Sequence, residues 1–202
     1  MTNDPALIPL TESGCRQAEE FSRTIEQAPG LIVTSPFERA IETARPTLGR
    51  HPGTPHQIWD IGEFTYLAPQ SCVGTSVAER KTRVITYWEN ADPDYVDGDG
   101  AESFRMFFSR VQSALDALDS VDIPVLVVGH GQVMQAMRWM RLFKVQHVNQ
   151  MLMREFRQYD LANPISNCGV ILLYTHNLMY VDRPAVYTCH LHQPRIKNVK
   201  IS

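Results

Sequence analysis

Two short apolar runs, each leading straight into a helix start, constrain this chain more than any other feature. Leu31-Ile32-Val33-Thr34 is β-branched and ends at Ser35-Pro36-Phe37-Glu38. Ile123-Pro124-Val125-Leu126-Val127-Val128 ends at Gly129-His130-Gly131, after which Val133, Met134, Met137 and Met140 recur at helical spacing. Runs of this length without polar alternation read as strands covered on both faces, and buried strands followed at once by helices make a layered, mostly parallel sheet. At the first junction Ser35 is expected to cap a helix, Pro36 to take its first position and Glu38 to complete a capping box, with the helix running to about Leu48.

The rest of the chain fits around those junctions. Thr11 reads as the cap of a helix whose apolar positions recur until Pro29-Gly30. The segment from Arg50 to Gly100 is rich in Pro, Gly and aromatics; apart from a helix over about Val77 to Glu89 it reads as an excursion from the sheet, with 59–100 covering a pocket. Phe104, Phe107, Phe108, Val111, Ala114, Leu115 and Leu118 form the clearest amphipathic stripe, a long helix packed on the core. Val170 to Tyr174 is expected as a third strand after Asn167-Cys168-Gly169, and 193–202 as a loose tail. With no repeat or linker, the 202 residues are expected to form one domain.

Composition excludes several classes of function. A formal charge of -3 gives no global pull toward a polyanion, and the phenylalanine stripe lacks interleaved Lys or Arg, so nucleic acid is not an expected partner. No run approaches the roughly 18 apolar residues of a membrane helix, and MTNDPALIPL lacks a signal-peptide pattern, so a cytoplasmic protein without a membrane partner is expected. Four cysteines without a C-x-x-C pair argue for reduced thiols. His176, Cys189, His190 and His192 are a weak metal candidate, and neither a metal nor any other cofactor is expected. Walker, dinucleotide, zincin and hydrolase-elbow motifs are absent.

In open α/β sheets ligands bind off the carboxyl ends of the strands, where helix N-termini present free N–H groups to anions. The first junction delivers Arg39 there, and the second delivers His130 with Gly131 beside it, where a ligand can approach the backbone. Arginine offers a fork that fits phosphate oxygens, and histidine can donate, accept or attack near neutral pH. Each alone also fits a plainer role, an ion-paired helix arginine or a structural histidine. Glu63, set among apolar and aromatic neighbours in Trp59-Asp60-Ile61-Gly62-Glu63-Phe64, is either suited to keep a proton and give it to a leaving group or is a loop carboxylate that faces water. Asp60 competes for that role, and Asn167 could reach the pocket or simply form a turn.

The order Pro9-Leu10-Thr11-Glu12-Ser13-Gly14, Ser35-Pro36-Phe37-Glu38-Arg39-Ala40, Gly100-Ala101-Glu102-Ser103-Phe104, Val127-Val128-Gly129-His130-Gly131 and Asn167-Cys168 resembles the histidine phosphatase superfamily, also called phosphoglycerate mutase-like, over about Leu10 to Leu172. The resemblance implies a three-layer α/β/α sandwich and phosphomonoester hydrolysis through a phosphohistidine. By it His130 and Glu63 are catalytic, while Arg39, Gly131 and Asn167 bind the phosphate of a phosphorylated small molecule or phosphoprotein. The family's R-H-G motif on a first strand, which carries the nucleophile, has no match: Met1 to Pro9 holds no His or Arg, and Arg50-His51-Pro52-Gly53 follows the Arg39 helix.

Three readings follow. The first is a phosphatase whose chain as written starts late and is itself inactive or nearly so. The others are a non-catalytic relative that binds a phosphorylated ligand or partner, and an α/β domain with no ligand. Loss of a strand from inside the sheet is expected to leave two open edges and favour homo-oligomers.

Overall fold

The computed structural model describes residues 4–145 and 147–173. A 3-10 turn at Pro5–Leu7 precedes α1 (Glu12–Thr24), β1 (Leu31–Thr34), α2 (Glu38–Arg50), β2 (His56–Ile58), α3 (Pro69–Cys72) and α4 (Val77–Asn90). Then come α5 (Phe104–Asp119), β3 (Val125–Val128), α6 (Gly131–Phe143) and α7 (Gln150–Ala162). The described strands form one parallel sheet in the order β2-β1-β3.

Side-chain alternation along β1 explains the layering. Leu31 and Val33 point into a core with Phe104, Phe107, Val111, Val133, Met137 and Phe156, whereas Ile32 points with Val128 toward Ala40 and Ala44 of α2. The sheet is therefore sandwiched, with α2 and α1 on one face and α5, α6 and α7 on the other. All four β1 residues are buried, which accounts for the uninterrupted apolar run.

Several expected boundaries move. Ser35 does not cap α2: the helix begins at Glu38 behind Phe37 with no side-chain cap, because the Ser35 hydroxyl is engaged by His130 and by the Phe37 N–H. Thr11 does cap α1, accepting from the Gly14 N–H at 3.1 Å, but α1 ends at Thr24 instead of near Ala28. β3 starts at Val125, since Pro124 has no N–H for the ladder and its carbonyl instead receives Gly30 and Leu31.

The expected strand at Val170 to Tyr174 is not formed over 170–173, and Tyr174 lies outside the described residues, as do 193–202 and the cluster of His176, Cys189, His190 and His192. Besides the 3-10 turn and the four-residue α3, two elements were not foreseen. β2 consists of three exposed residues held only by pairing with β1, and α7 buries Met153 and Phe156 against the main core.

The open edges expected inside the sheet do not fall on β1, although the outer edges of β2 and β3 have no partner among the described residues. β1 pairs directly with β3 in the register Leu31↔Val125 to Thr34↔Val128 and with β2 on its other side. Both edges of β1 are thus satisfied.

Among the described residues no helix is long and apolar enough to cross a membrane, and no group of three or more His, Cys, Asp or Glu is placed to hold a metal.

Candidate active site

The parallel register brings the carboxyl ends of β1 and β3 side by side, and the Ser35 N–H donates to the Val128 carbonyl at 3.1 Å. Beyond that point the chains diverge into α2 and α6 and open a crevice. Arg39 stands in the first turn of α2, and His130 is the N-cap residue of α6. Helical geometry leaves the first N–H groups of α6 without partners inside the helix. Open space surrounds the position where Gly131 would carry a Cβ.

His130 is 7% exposed and is held on both ring nitrogens. Arg39 Nη2 lies 3.3 Å from its Nδ1, and Ser35 Oγ lies 2.7 Å from its Nε2. A guanidinium can only donate, so Nδ1 accepts and the proton sits on Nε2, donating to Ser35. Burial, followed by the positive charges of Arg39 and Arg110, pushes the His130 pKa down to about 3. The imidazole is therefore neutral at physiological pH, with one lone pair facing the arginine.

Phe37 fastens the arrangement. Its ring meets His130 edge-on at 4.8 Å, the Arg39 guanidinium lies 4.7 Å above it, and its Cε1 stands 3.0 Å from where a Cβ on Gly62 would be. A side chain at Gly62 would push the Glu63 loop away from α2. Arg39 also donates through Nη1 to the Pro5 carbonyl at 2.8 Å.

Glu63 enters on the loop after β2. Burial pushes its carboxyl pKa up, partly opposed by the Phe64 N–H, the Arg39 charge and the Gln132 N–H, while Asp160 adds a further upward push. Burial likewise pushes Arg39 down, and Glu63 pushes it back up. The two residues share one electrostatic environment. Gln132 Nε2 and Arg157 Nη1 both donate to Asp160 Oδ2, at 3.2 and 3.0 Å, and Arg157 covers the Trp88 ring.

The structure thus brings together Arg39, His130, Glu63 and the backbone at Gly131. Asp60 is exposed, and its carbonyl rather than its carboxylate is used, accepting from Arg110 at 3.4 Å. Asn167 is exposed, and its neighbour Cys168 faces Glu20 of α1; among the described residues no contact joins Asn167 to the crevice. Sequence reasoning missed Phe37, Arg110, Gln132 and Asp160 as parts of this neighbourhood. Phe37 lay within a quoted motif, whereas the other three carry no local signal.

A parallel sheet flanked by helices, with an arginine, a neutral histidine and a protonatable carboxyl gathered at its strand ends, defines an α/β domain with a polar crevice where ligands of such sheets bind. The chain matches the histidine phosphatase superfamily (branch 1) over residues 5–176 and belongs to that family.

Solved structures share the fold. A mycobacterial glucosyl-3-phosphoglycerate phosphatase is 20% identical with a TM-score of 0.58, over 80% of this chain and 77% of that one. The alpha-ribazole phosphatase from Shigella flexneri is 18% identical with a TM-score of 0.58, over 84% and 79%. Phosphoserine phosphatase from Entamoeba histolytica, in complex with 3-phosphoglyceric acid, is 18% identical with a TM-score of 0.54, over 80% and 76%. No curated protein matches the chain in sequence.

Proposed function

We propose that the domain is the phosphate-binding and proton-donating part of a phosphomonoester hydrolase that works through a phosphohistidine. The observation that carries this reading is the convergence of Arg39, His130 and Glu63 at the ends of β1 and β3 in a member of this superfamily. Arg39 and the first-turn N–H groups of α6 take the phosphoryl oxygens, and His130 donates to them from Nε2 once its bond to Ser35 is exchanged. Asn167 is assigned to the same phosphate, reaching it through a movement of the 163–168 turn.

No attacking histidine is identified among the described residues: His51 faces the Ile25 carbonyl and His56 faces the Thr34 hydroxyl. In the proposed reaction that histidine forms an N–P bond as the P–O bond to the leaving group breaks. Glu63 gives its proton to the departing alkoxide, then takes one from the water that hydrolyses the phosphohistidine. The chain as written then binds substrate and turns it over slowly or not at all.

The substrate is a phosphorylated small molecule or phosphoprotein, selected by the loop over 59–100. Hydrolysis is favoured over phosphoryl transfer to a second hydroxyl, which needs a site shielded from water. The assigned location is the cytoplasm. The outer edge of β3, which has no partner among the described residues, is where a second copy would add.

A second reading, binding without turnover, is favoured by the direct β1–β3 pairing, which leaves no gap for another strand between the two junctions. One experiment separates them: release of phosphate from a panel of phosphomonoesters, with acid and base quenches to trap the acid-labile phosphohistidine. Turnover that is lost in His130→Ala, or that added imidazole restores by standing in for the attacking histidine, supports the hydrolase, whereas saturable phosphate binding with no turnover even in imidazole supports the binder. Neither binding nor turnover contradicts both.

A further inference from the structure

The loop that carries Glu63 belongs to no strand or helix, so something else must fix its place over the crevice. The Glu63 side chain gives only part of the answer: it accepts from the N–H of its neighbour Phe64 at 3.1 Å, which moves with the loop, and meets the Gln132 N–H of α6. The backbone of the loop is anchored by α5 and the residue that leads into it. The Glu102 N–H donates to the Thr65 carbonyl at 2.9 Å, and Glu102 Oε1 accepts from the Thr65 N–H at 3.3 Å. Arg110, two turns along, holds the Glu102 carboxylate with Nε at 2.8 Å and Nη2 at 2.6 Å. Its remaining N–H groups point at the carbonyls of Asp60 and of Glu63 itself, each at 3.4 Å. The guanidinium lies 5.0 Å above the Phe107 ring, and Phe107 stacks on Phe64, the residue after Glu63, at 4.3 Å and 14°.

We infer that Arg110, locked by Glu102, is the positioning residue that sets where the Glu63 carboxyl stands relative to Arg39 and His130. The inference rests on the reading of Glu63 as proton donor. Arginine is required because one planar group must hold two carboxylate oxygens and two carbonyls together, which an ammonium cannot do. The pair is largely buried, with side-chain exposures of 13% and 16%, so its two charges reinforce each other with little screening by water.

The test uses the full chain and three variants: Arg110→Lys, Glu102→Gln, and the double change Arg110→Met with Glu102→Gln, which leaves no unpaired buried charge if a single change unfolds the protein. Hydrogen exchange is followed along the chain and orthovanadate affinity is measured in parallel. The inference predicts that exchange over 60–66 speeds up by about tenfold or more in Arg110→Lys, with β1, β3 and α6 as protected as in the parent and vanadate affinity within about threefold. Unchanged protection of 60–66, or loosening spread evenly over the molecule, would overturn it.

Turnover supplies a second arm. Misplacing a proton donor should slow an alkyl phosphate at least about tenfold more than a nitrophenyl phosphate, whose leaving group needs no proton. Equal losses point to a merely structural role and contradict the inference. A parent that turns over neither ester, as the proposed function allows, leaves the exchange result to decide the positioning alone.

Discussion

Arg39 Nη2 lies 3.3 Å from Nδ1 of His130, although the two residues are 91 positions apart. Each follows a strand directly, and the strands are neighbours in parallel, so the pairing of β1 with β3 is what joins them. Because the arginine only donates, this contact fixes the tautomer of His130 and keeps the ring neutral.

That neutrality has a cost in acid. The folded pKa of His130, about 3, lies below its ordinary 6.5, so above pH 6.5 the ring is neutral in both folded and unfolded chains. Below 6.5 the unfolded chain takes up a proton that the folded one refuses, and stability falls by up to about 1.4 kcal/mol per pH unit until the folded group titrates near 3. Urea midpoints of parent and His130→Asn, compared between pH 7 and pH 4, should converge as the pH falls. A constant difference between them would contradict the assignment.

Ser35 is predicted to matter for stability through His130. Ser35→Ala leaves the Nε2–H of a buried ring without its acceptor at 2.7 Å, at a cost of about 1–3 kcal/mol. Denaturant unfolding at pH 7 measures it; a loss under about 0.5 kcal/mol would show the bond to be unimportant.

Glu63 is predicted to trade stability for chemistry. Its carboxyl pKa is raised, chiefly by burial, so the folded state is favoured below the unfolded pKa and loses that advantage as pH rises through the folded value. Glu63→Gln should therefore raise the melting temperature, relative to parent, more at pH 8 than at pH 4.5. The same increment at both pH values would mean that the carboxyl is not buried.

A remote position offers a control. Lys144 ends α6 in the left-handed region at φ 47, with its N–H bonded to Met140, and is exposed. Lys144→Gly should stabilise the protein by about 0.5–1 kcal/mol in urea titrations with no effect on ligand binding, since glycine takes this conformation without strain. Destabilisation would place the end of α6 in another conformation.

Features fixed by local rules were legible in the sequence. The runs ending at Thr34 and Val128, the Thr11 cap and the Phe104–Leu115 stripe follow from β-branching, hydroxyl capping and helical spacing, and Arg39 and His130 became readable because each follows a strand end. Ser35 was misread because its tertiary partner, His130, displaced the local capping role. β2 escaped because His56, Gln57 and Ile58 are exposed and their pairing is set by β1. The setting of Glu63 depends on Arg110, 47 positions away, and on Asp160, which no pattern near Glu63 could announce.

Orthovanadate, which mimics the phosphoryl group, tests the central claim most directly when titrated calorimetrically into parent and Arg39→Ala at pH 7. A phosphate crevice organised by Arg39 and His130 predicts saturable binding to one site in the parent, weakened about 10- to 100-fold by loss of the guanidinium. Absence of saturable binding in the parent, or equal affinity in the two proteins, would contradict it.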